Sequence, residues 1–310
     1  MTKRKIFFVL ILLLLVAGYA LGSRRLELSE AASRRKEPAQ SYTVSSAPTL
    51  FFHGWGSGSF TENQMVRYME RQGITNAVIR ADVTPSGKVH LHGRLPKHPR
   101  NPIVKVNYLN SRQNNYYILG QWMKNVVVAL QQAYHIERFN AVGHSVGNMS
   151  IAYYLLQYGR DPALPRLDRQ AALGAHFNGV LGADDAVNQM QLLADGQPKK
   201  MTVYYRELLA LRAIYPKTQT AVLNIYGDLG DGTHSDGVVS NASSCSMRYL
   251  AGPDARTYRE VKITGKDGQH SRLHENLAVD RDLAAFLWDA KRPNQKKSVR
   301  GLTFFDGRLR

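Results

Sequence analysis

The sequence predicts an α/β fold: a mostly parallel central sheet with helices on both faces and a small helical insert. Two observations carry this. Between Thr49 and Trp288, short apolar runs alternate with longer segments whose apolar residues recur at helical spacing. That is the pattern of strands buried on both faces and joined by crossover helices. In addition, 310 residues at 44% hydrophobic and 21% charged can bury a substantial core and are too apolar for disorder along the whole chain. No internal repeat is visible.

The chain opens on Lys3-Arg4-Lys5 and an uncharged apolar run from Ile6 to Gly22. At about 17 residues the run sits at the lower limit for a spanning helix, and its cationic flank marks an export signal. Residues 1–22 are read as a signal anchor, with a cleaved signal peptide as the alternative. Ala20-Leu21-Gly22 is a mediocre cleavage site, and no cysteine follows that could carry a lipoprotein anchor. The remainder is expected outside the cytoplasm, on a single-pass cell-membrane protein or, if the segment is cleaved, in secreted form. Residues 23–47 mix Ser, Arg, Glu and Ala around Pro38 without period and read as a linker. The domain is expected over 48–290.

Within it, strands are expected at Thr49–His53, Ala77–Val83, Val104–Tyr108, Phe139–Gly143, Phe177–Leu181, Ala221–Tyr226 and Tyr258–Ile263. Helices are expected at Thr61–Gln72, Tyr116–Tyr134, Ser145–Tyr158, Asn241–Leu250 and Glu275–Trp288. Residues 184–218 form an insert whose helix carries Met201, Tyr204, Tyr205, Leu208, Leu211 and Tyr215. It reads either as an ordinary crossover helix or as a lid over an apolar pocket. Residues 291–310 form a basic tail, either solvated or in contact with anionic lipid or a cell-wall polymer. The net charge of +17 favours polyanionic partners generally, although no nucleic-acid motif is present. The lone Cys245 excludes an intramolecular disulfide and a Cys-rich zinc site.

The motif with most chemical content is Gly143-His144-Ser145-Val146-Gly147, between an apolar strand and a helical pattern. Strand, sharp turn and helix make this a nucleophile elbow, with Ser145 exposed at a helix N-terminus. His144 is expected to turn its side chain away from that of Ser145. A nucleophilic serine needs a base and a carboxylate that orients it, and in folds built on this elbow the order is Ser, acid, His. The acid candidates are Asp228, Asp231 and Asp236. Asp236 is preferred because its Ser-Asp-Gly-Val-Val context turns into a new apolar start. The spacing of these aspartates does not match a calcium loop, so no metal is expected. The base candidates are His270 and His274, in the loop before the last helix; His270 is preferred. The other histidines read as surface groups or local turn partners. Finally, His53-Gly54-Trp55-Gly56 follows the first strand. The amide of Trp55, with that of Val146, would form a two-donor oxyanion hole.

Taken together, Phe51-Phe52-His53-Gly54-Trp55-Gly56, Gly143-His144-Ser145-Val146-Gly147, Phe177-Asn178-Gly179, Ser235-Asp236-Gly237-Val238-Val239 and His270-Ser271-Arg272-Leu273-His274-Glu275-Asn276 resemble the membrane-tethered cell-surface α/β-hydrolases of Gram-positive bacteria, relatives of small bacterial lipases. The resemblance covers about residues 48–290. The lipase pattern sets the catalytic His three residues before a Leu and nine before a Val, as His270 stands to Leu273 and Val279. It implies an α/β-hydrolase fold and hydrolysis of carboxylic esters through an acyl-enzyme, on a small-molecule or lipid ester and without a cofactor. The same residues would equally serve acyl transfer or thioester or amide cleavage, and a non-catalytic surface binding module on this scaffold is a further alternative.

Overall fold

The computed structural model describes residues 42–288. The apolar run 6–22, the basic tail 291–310 and the linker up to residue 41 lie outside the described residues. Eight strands form one sheet: β1 (Thr49–Phe52), β2 (Val78–Val83), β3 (Val89–His92), β4 (Ile103–Tyr108), β5 (Arg138–His144), β6 (Arg166–Leu173), β7 (Ala221–Asp228) and β8 (Thr257–Thr264), in the order β3-β2-β4-β1-β5-β6-β7-β8. Every neighbouring pair is parallel except β2–β3. The helices are α1 (Asn63–Arg71), α2 (Tyr116–Tyr134), α3 (Val146–Tyr158), α4 (Val203–Leu208), α5 (Leu211–Ile214), α6 (Asn241–Cys245), α7 (Met247–Ala251) and α8 (Leu277–Trp288).

Successive strand residues point to opposite faces, so β1 feeds two cores. Leu50 and Phe52 join the core beneath α2, α3 and the short helices, with Trp122, Met149 and Tyr153. Phe51 joins the core beneath α1 and α8, with Met69, Leu283 and Trp288. The expected helix Tyr116–Tyr134 matches α2. Asn115 caps its start by accepting from the Tyr117 and Ile118 amides at 3.0 and 3.3 Å, and His135 ends it in the left-handed region at φ 53°.

Four expectations are corrected. The segment Phe177–Leu181 is not a strand. Its amides bond to loops: Val180 N–H to the Asp184 carboxylate at 2.7 Å and Leu181 N–H to Val238 O at 2.9 Å. The strand at that place in the sheet is β6, paired with β5 and β7. The short hairpin strand β3 is also additional. The helix expected over Asn241–Leu250 divides into α6 and α7 at Ser246, whose hydroxyl donates to Ser243 O at 2.6 Å. Lastly, residues 42–47, read as the end of the linker, are part of the domain. Thr43 donates to Trp288 O through N–H (2.6 Å) and Oγ1 (2.9 Å). Buried Asn101 accepts from Ser45 N–H at 2.8 Å and donates to Thr43 O and Ile74 O at 2.9 and 3.0 Å.

The insert 184–218 packs as a crossover. Tyr205, Leu208, Leu211 and Tyr215 are buried in the α2–α3 core. Tyr205 Oη donates to Ser246 O at 2.9 Å and Tyr215 Oη to Gln170 at 2.8 Å. Among the described residues no helix is long and apolar enough to cross a membrane.

Candidate active site

At the C-terminal ends of β1, β5 and β7 the loops enclose a cavity of about 610 Å³, lined among others by Gly54, Trp55, Ser145, Val146, His176 and His270. Ligands of open parallel sheets bind at this end. No residue of 184–218 lines the cavity; its helices are held in the core rather than laid over the mouth.

Ser145 sits between β5 and α3 at φ 52°, ψ −121°, a backbone conformation a non-glycine residue adopts only where the surroundings enforce it. Three contacts enforce it. Ser145 N–H donates to Leu173 O at 3.0 Å. The side chain of fully buried Asn148 donates to both Ser145 O and Leu173 O at 3.1 Å. At Gly147 a Cβ would collide with the Phe52 carbonyl, 2.9 Å from its carbon, so only glycine lets α3 approach β1 this closely. Asn148 is a positioning residue that the sequence motif does not include.

Opposite the elbow, His270 Nδ1 donates to Asp236 Oδ2 at 2.7 Å, and His270 N–H donates to Asp236 O at 2.9 Å. The second oxygen, Oδ1, accepts from the amides of Val238 (2.9 Å) and Val239 (2.7 Å). Asp236 is 1% and His270 6% exposed, so the pair is shielded from solvent. With its proton on Nδ1, neutral His270 carries its lone pair on Nε2. Gly174, at φ 51°, lies against the pair. A Cβ there would come within 3.0 Å of His270 Nδ1 and 3.2 Å of Asp236 Oδ2.

The other acid candidates stand elsewhere. The Asp228 carboxylate is taken by Lys262 Nζ at 2.8 Å, the Asn241 amide at 2.7 Å and Gly230 N–H at 2.9 Å. Burial pushes its pKa up, but these bonds outweigh it and hold the carboxyl below its usual range. Asp231 is exposed and bonds to Thr233. Of the two base candidates, His274 also lines the cavity, but its Nδ1 has no partner.

Neither predicted oxyanion amide, Trp55 N–H nor Val146 N–H, donates in any of the described loop and cap hydrogen bonds. Val146 is the first residue of α3 and has no carbonyl one turn earlier to bond.

Of the histidines expected as surface groups or turn partners, His90, His92, His98, His135 and His234 are exposed, whereas His53 and His176 are buried around the site, as are His144 and the base candidate His274. His53 Nδ1 bonds to Gly54 O at 2.8 Å while Nε2 accepts from Tyr108 N–H at 3.0 Å, which fixes a neutral tautomer and ties down the loop carrying Trp55. His144, expected to turn away, packs its ring 4.8 Å from those of both His270 and His274 and holds His270 O through Nε2 at 3.1 Å. Burial, with His270 and His274 nearby, lowers its pKa well below 6.5. Burial and His270 also lower His176, to about 4; its Nε2 lies 3.3 Å from Tyr116 Oη. His53, His144 and His274 stand within motifs quoted from the sequence, whereas His176 lies in none.

Residues 36–290 match the family profile described as an alpha/beta hydrolase of unknown function, DUF915. Among solved structures, a gene product of Listeria innocua is similar with a TM-score of 0.70 at 24% identity, over 78% of this chain and 94% of its own. A provisionally named cell-surface hydrolase of Lactobacillus plantarum is similar with a TM-score of 0.61 at 19% identity, over 77% and 88%. At these identities the likeness is one of fold. No curated protein sequence matches the chain. The profile spans the whole sheet and every loop that meets at the cavity, and the chain belongs to the DUF915 family of alpha/beta hydrolases.

Proposed function

We propose that this hydrolase is an extracytoplasmic serine esterase with lipase-like chemistry, acting on carboxylic esters through an acyl-enzyme. The observation that carries the reading is the buried Asp236–His270 pair at 2.7 Å, held at the cavity that Ser145 lines. Ser145 Oγ attacks the ester carbonyl carbon as His270 Nε2 takes its proton. Asp236 holds the imidazole and stabilises its charged form. The carbonyl oxygen becomes an oxyanion between the amides of Trp55 and Val146. The C–O bond to the alcohol then breaks, and the alcohol leaves with the proton from His270. Water attacks the acyl-Ser145 carbonyl, giving its proton to His270. Collapse releases the acid and returns the proton to Ser145.

Trp55, Val180, Val238 and Tyr116 supply the apolar wall of the cavity, suited to an acyl or aryl group. The extracytoplasmic placement rests on the cationic flank and apolar run of residues 3–22.

The test is a fluorophosphonate probe, which phosphonylates an activated serine, with the adduct mapped by mass spectrometry. Labelling at Ser145 that is lost in Ser145→Ala and His270→Ala is expected. Folded wild-type protein that stays unlabelled would overturn the reading in favour of a non-catalytic module.

A further inference from the structure

We propose that the face of the domain opposite the cavity is a docking surface for an anionic lipid bilayer. The sheet is parallel, so the loops that precede the strands gather at one end. They are stitched there by backbone bonds such as Asn101 N–H to Ser45 O (2.7 Å), Asn76 N–H to Arg100 O (3.2 Å) and Arg166 N–H to Glu137 O (2.9 Å). On this end Arg94, Lys97, Arg100, Arg138, Arg160 and Arg166 are exposed, whereas the exposed acids of the same loops are Glu137 and Asp161. At the cavity end the exposed charges alternate in sign, as in Lys266 beside Asp267 and Arg272 near Glu275. The excess positive charge of the domain therefore sits away from the candidate active site.

Where the chain enters and leaves selects the partner. Thr43 is bonded to Trp288 O, so residues 42 and 288, beyond which the sequence holds the apolar run 6–22 and the basic residues Lys291, Arg292, Lys296 and Lys297, both lie at this end. A hollow of about 600 Å³ opens on the same face, lined by Lys97, Arg138 and Glu137 with Leu95, Pro96 and Tyr134; Arg138 is ion-paired with Asp168 at 3.3 Å, which leaves Lys97 as the cation there for an anionic headgroup. Lysine and arginine near an anionic bilayer each favour binding by about fivefold, within a Debye length. Strands of six to seven residues separate this face from the cavity mouth by about 20 Å. Docked this way, the mouth opens away from the bilayer, and esters reach it from the side distal to the membrane.

The test places the full chain in nanodiscs of phosphatidylcholine with or without phosphatidylglycerol, with a quencher on the headgroups. A dye is attached through His98→Cys on the basic face or through Asn114→Cys, exposed at the cavity mouth. Buried Cys245, its thiol pushed up to about 12 by burial, does not compete for the label. The expected result is quenching of the position-98 dye only, in anionic discs only, and its loss at 0.5 M salt. The triple variant Arg94→Glu, Lys97→Glu, Arg100→Glu is expected to lower the docked-to-free ratio at least a hundredfold, with fluorophosphonate labelling of Ser145 as a separate check on the site. Quenching at position 114, equal quenching in neutral discs, or no response to the triple variant would each overturn the proposal. So would an absence of docking on lipid while soluble polyanionic wall polymer binds the basic face, and that outcome would name the polymer as the partner.

Discussion

Asp236→Asn tests the proposed mechanism through a proton rather than through packing. In the native arrangement Oδ1 accepts two amides, at 2.9 and 2.7 Å, and Oδ2 accepts from His270. An asparagine keeps the two amide bonds only by placing its oxygen at Oδ1, which turns its NH2 toward His270 Nδ1. Two donors cannot face each other, so neutral His270 must move its proton to Nε2, the nitrogen needed as base. The shape of the site survives and its tautomer is reversed. Where this has been done to a serine hydrolase, kcat falls by about 10⁴, and a loss of that order is expected here. Stability changes far less. One charge-assisted bond, worth about 1.5–3 kcal/mol, becomes a neutral one, which lowers Tm by several degrees for a domain of this size. The assay is kcat/KM on a short-chain p-nitrophenyl ester together with the rate of fluorophosphonate labelling, at matched folded fraction. Activity within tenfold of wild type, or a larger loss in Asp228→Asn than in Asp236→Asn, would refute the assignment of the acid.

Other outcomes follow from neighbouring contacts. Gly174→Ala puts a methyl group 3.0 Å from His270 Nδ1 at a residue with φ 51°, so ester hydrolysis should fall at least tenfold while KM stays near wild type; unchanged kcat would show that the pair can shift without cost. Asn148→Ala removes two side-chain hydrogen bonds while Leu173 O keeps the Ser145 N–H and Ser145 O keeps the backbone N–H of residue 148, so the cost is about 0.5–1.5 kcal/mol per bond, and a fall in Tm of several degrees in thermal denaturation checks it. Below about pH 6 the unfolded chain protonates His176 while the folded chain holds it neutral until about pH 4. Stability therefore drops as pH falls through that window, by about 1.4 kcal/mol per pH unit from this group. Asp280, raised to about 6 by burial, acts in the opposite direction, so the difference between wild type and His176→Asn in urea titrations isolates the histidine. A difference that does not change between pH 7 and 4.5 would remove the claim.

How far the sequence could be read depended on where each signal lies. The elbow was legible because its parts are contiguous: an apolar strand, two glycines around a serine, and a helix. Helix α2 was legible because its apolar residues keep helical spacing from Tyr116 to Tyr134. Strand β6 was hidden because Arg166, Asp168, Arg169 and Gln170 occupy half of it, its edge positions being only partly covered. Phe177–Leu181 imitated a strand because Phe177 is buried in the core although the segment's amides bond to loops. Chain order narrows the proposed acid and base to a few residues, and the folded geometry favours Asp236 over Asp228, which Lys262 neutralises. The histidines at 53, 144, 176 and 274 meet through tertiary structure alone, and no window of sequence contains that.

The bonds between Thr43 and Trp288 also define how the domain carries mechanical load. A pull on the chain at residue 42 is borne first by those two bonds and by the Asn101 knot beside them. From there it passes into β1 along the strand axis, where the bonded neighbours β4 and β5 share it first and the rest of the sheet through them. The elbow lies at the far end of that shear path. Tension on the N-terminal connection therefore frays residues 42–47 long before it moves Ser145, and the candidate site is insulated from load applied there.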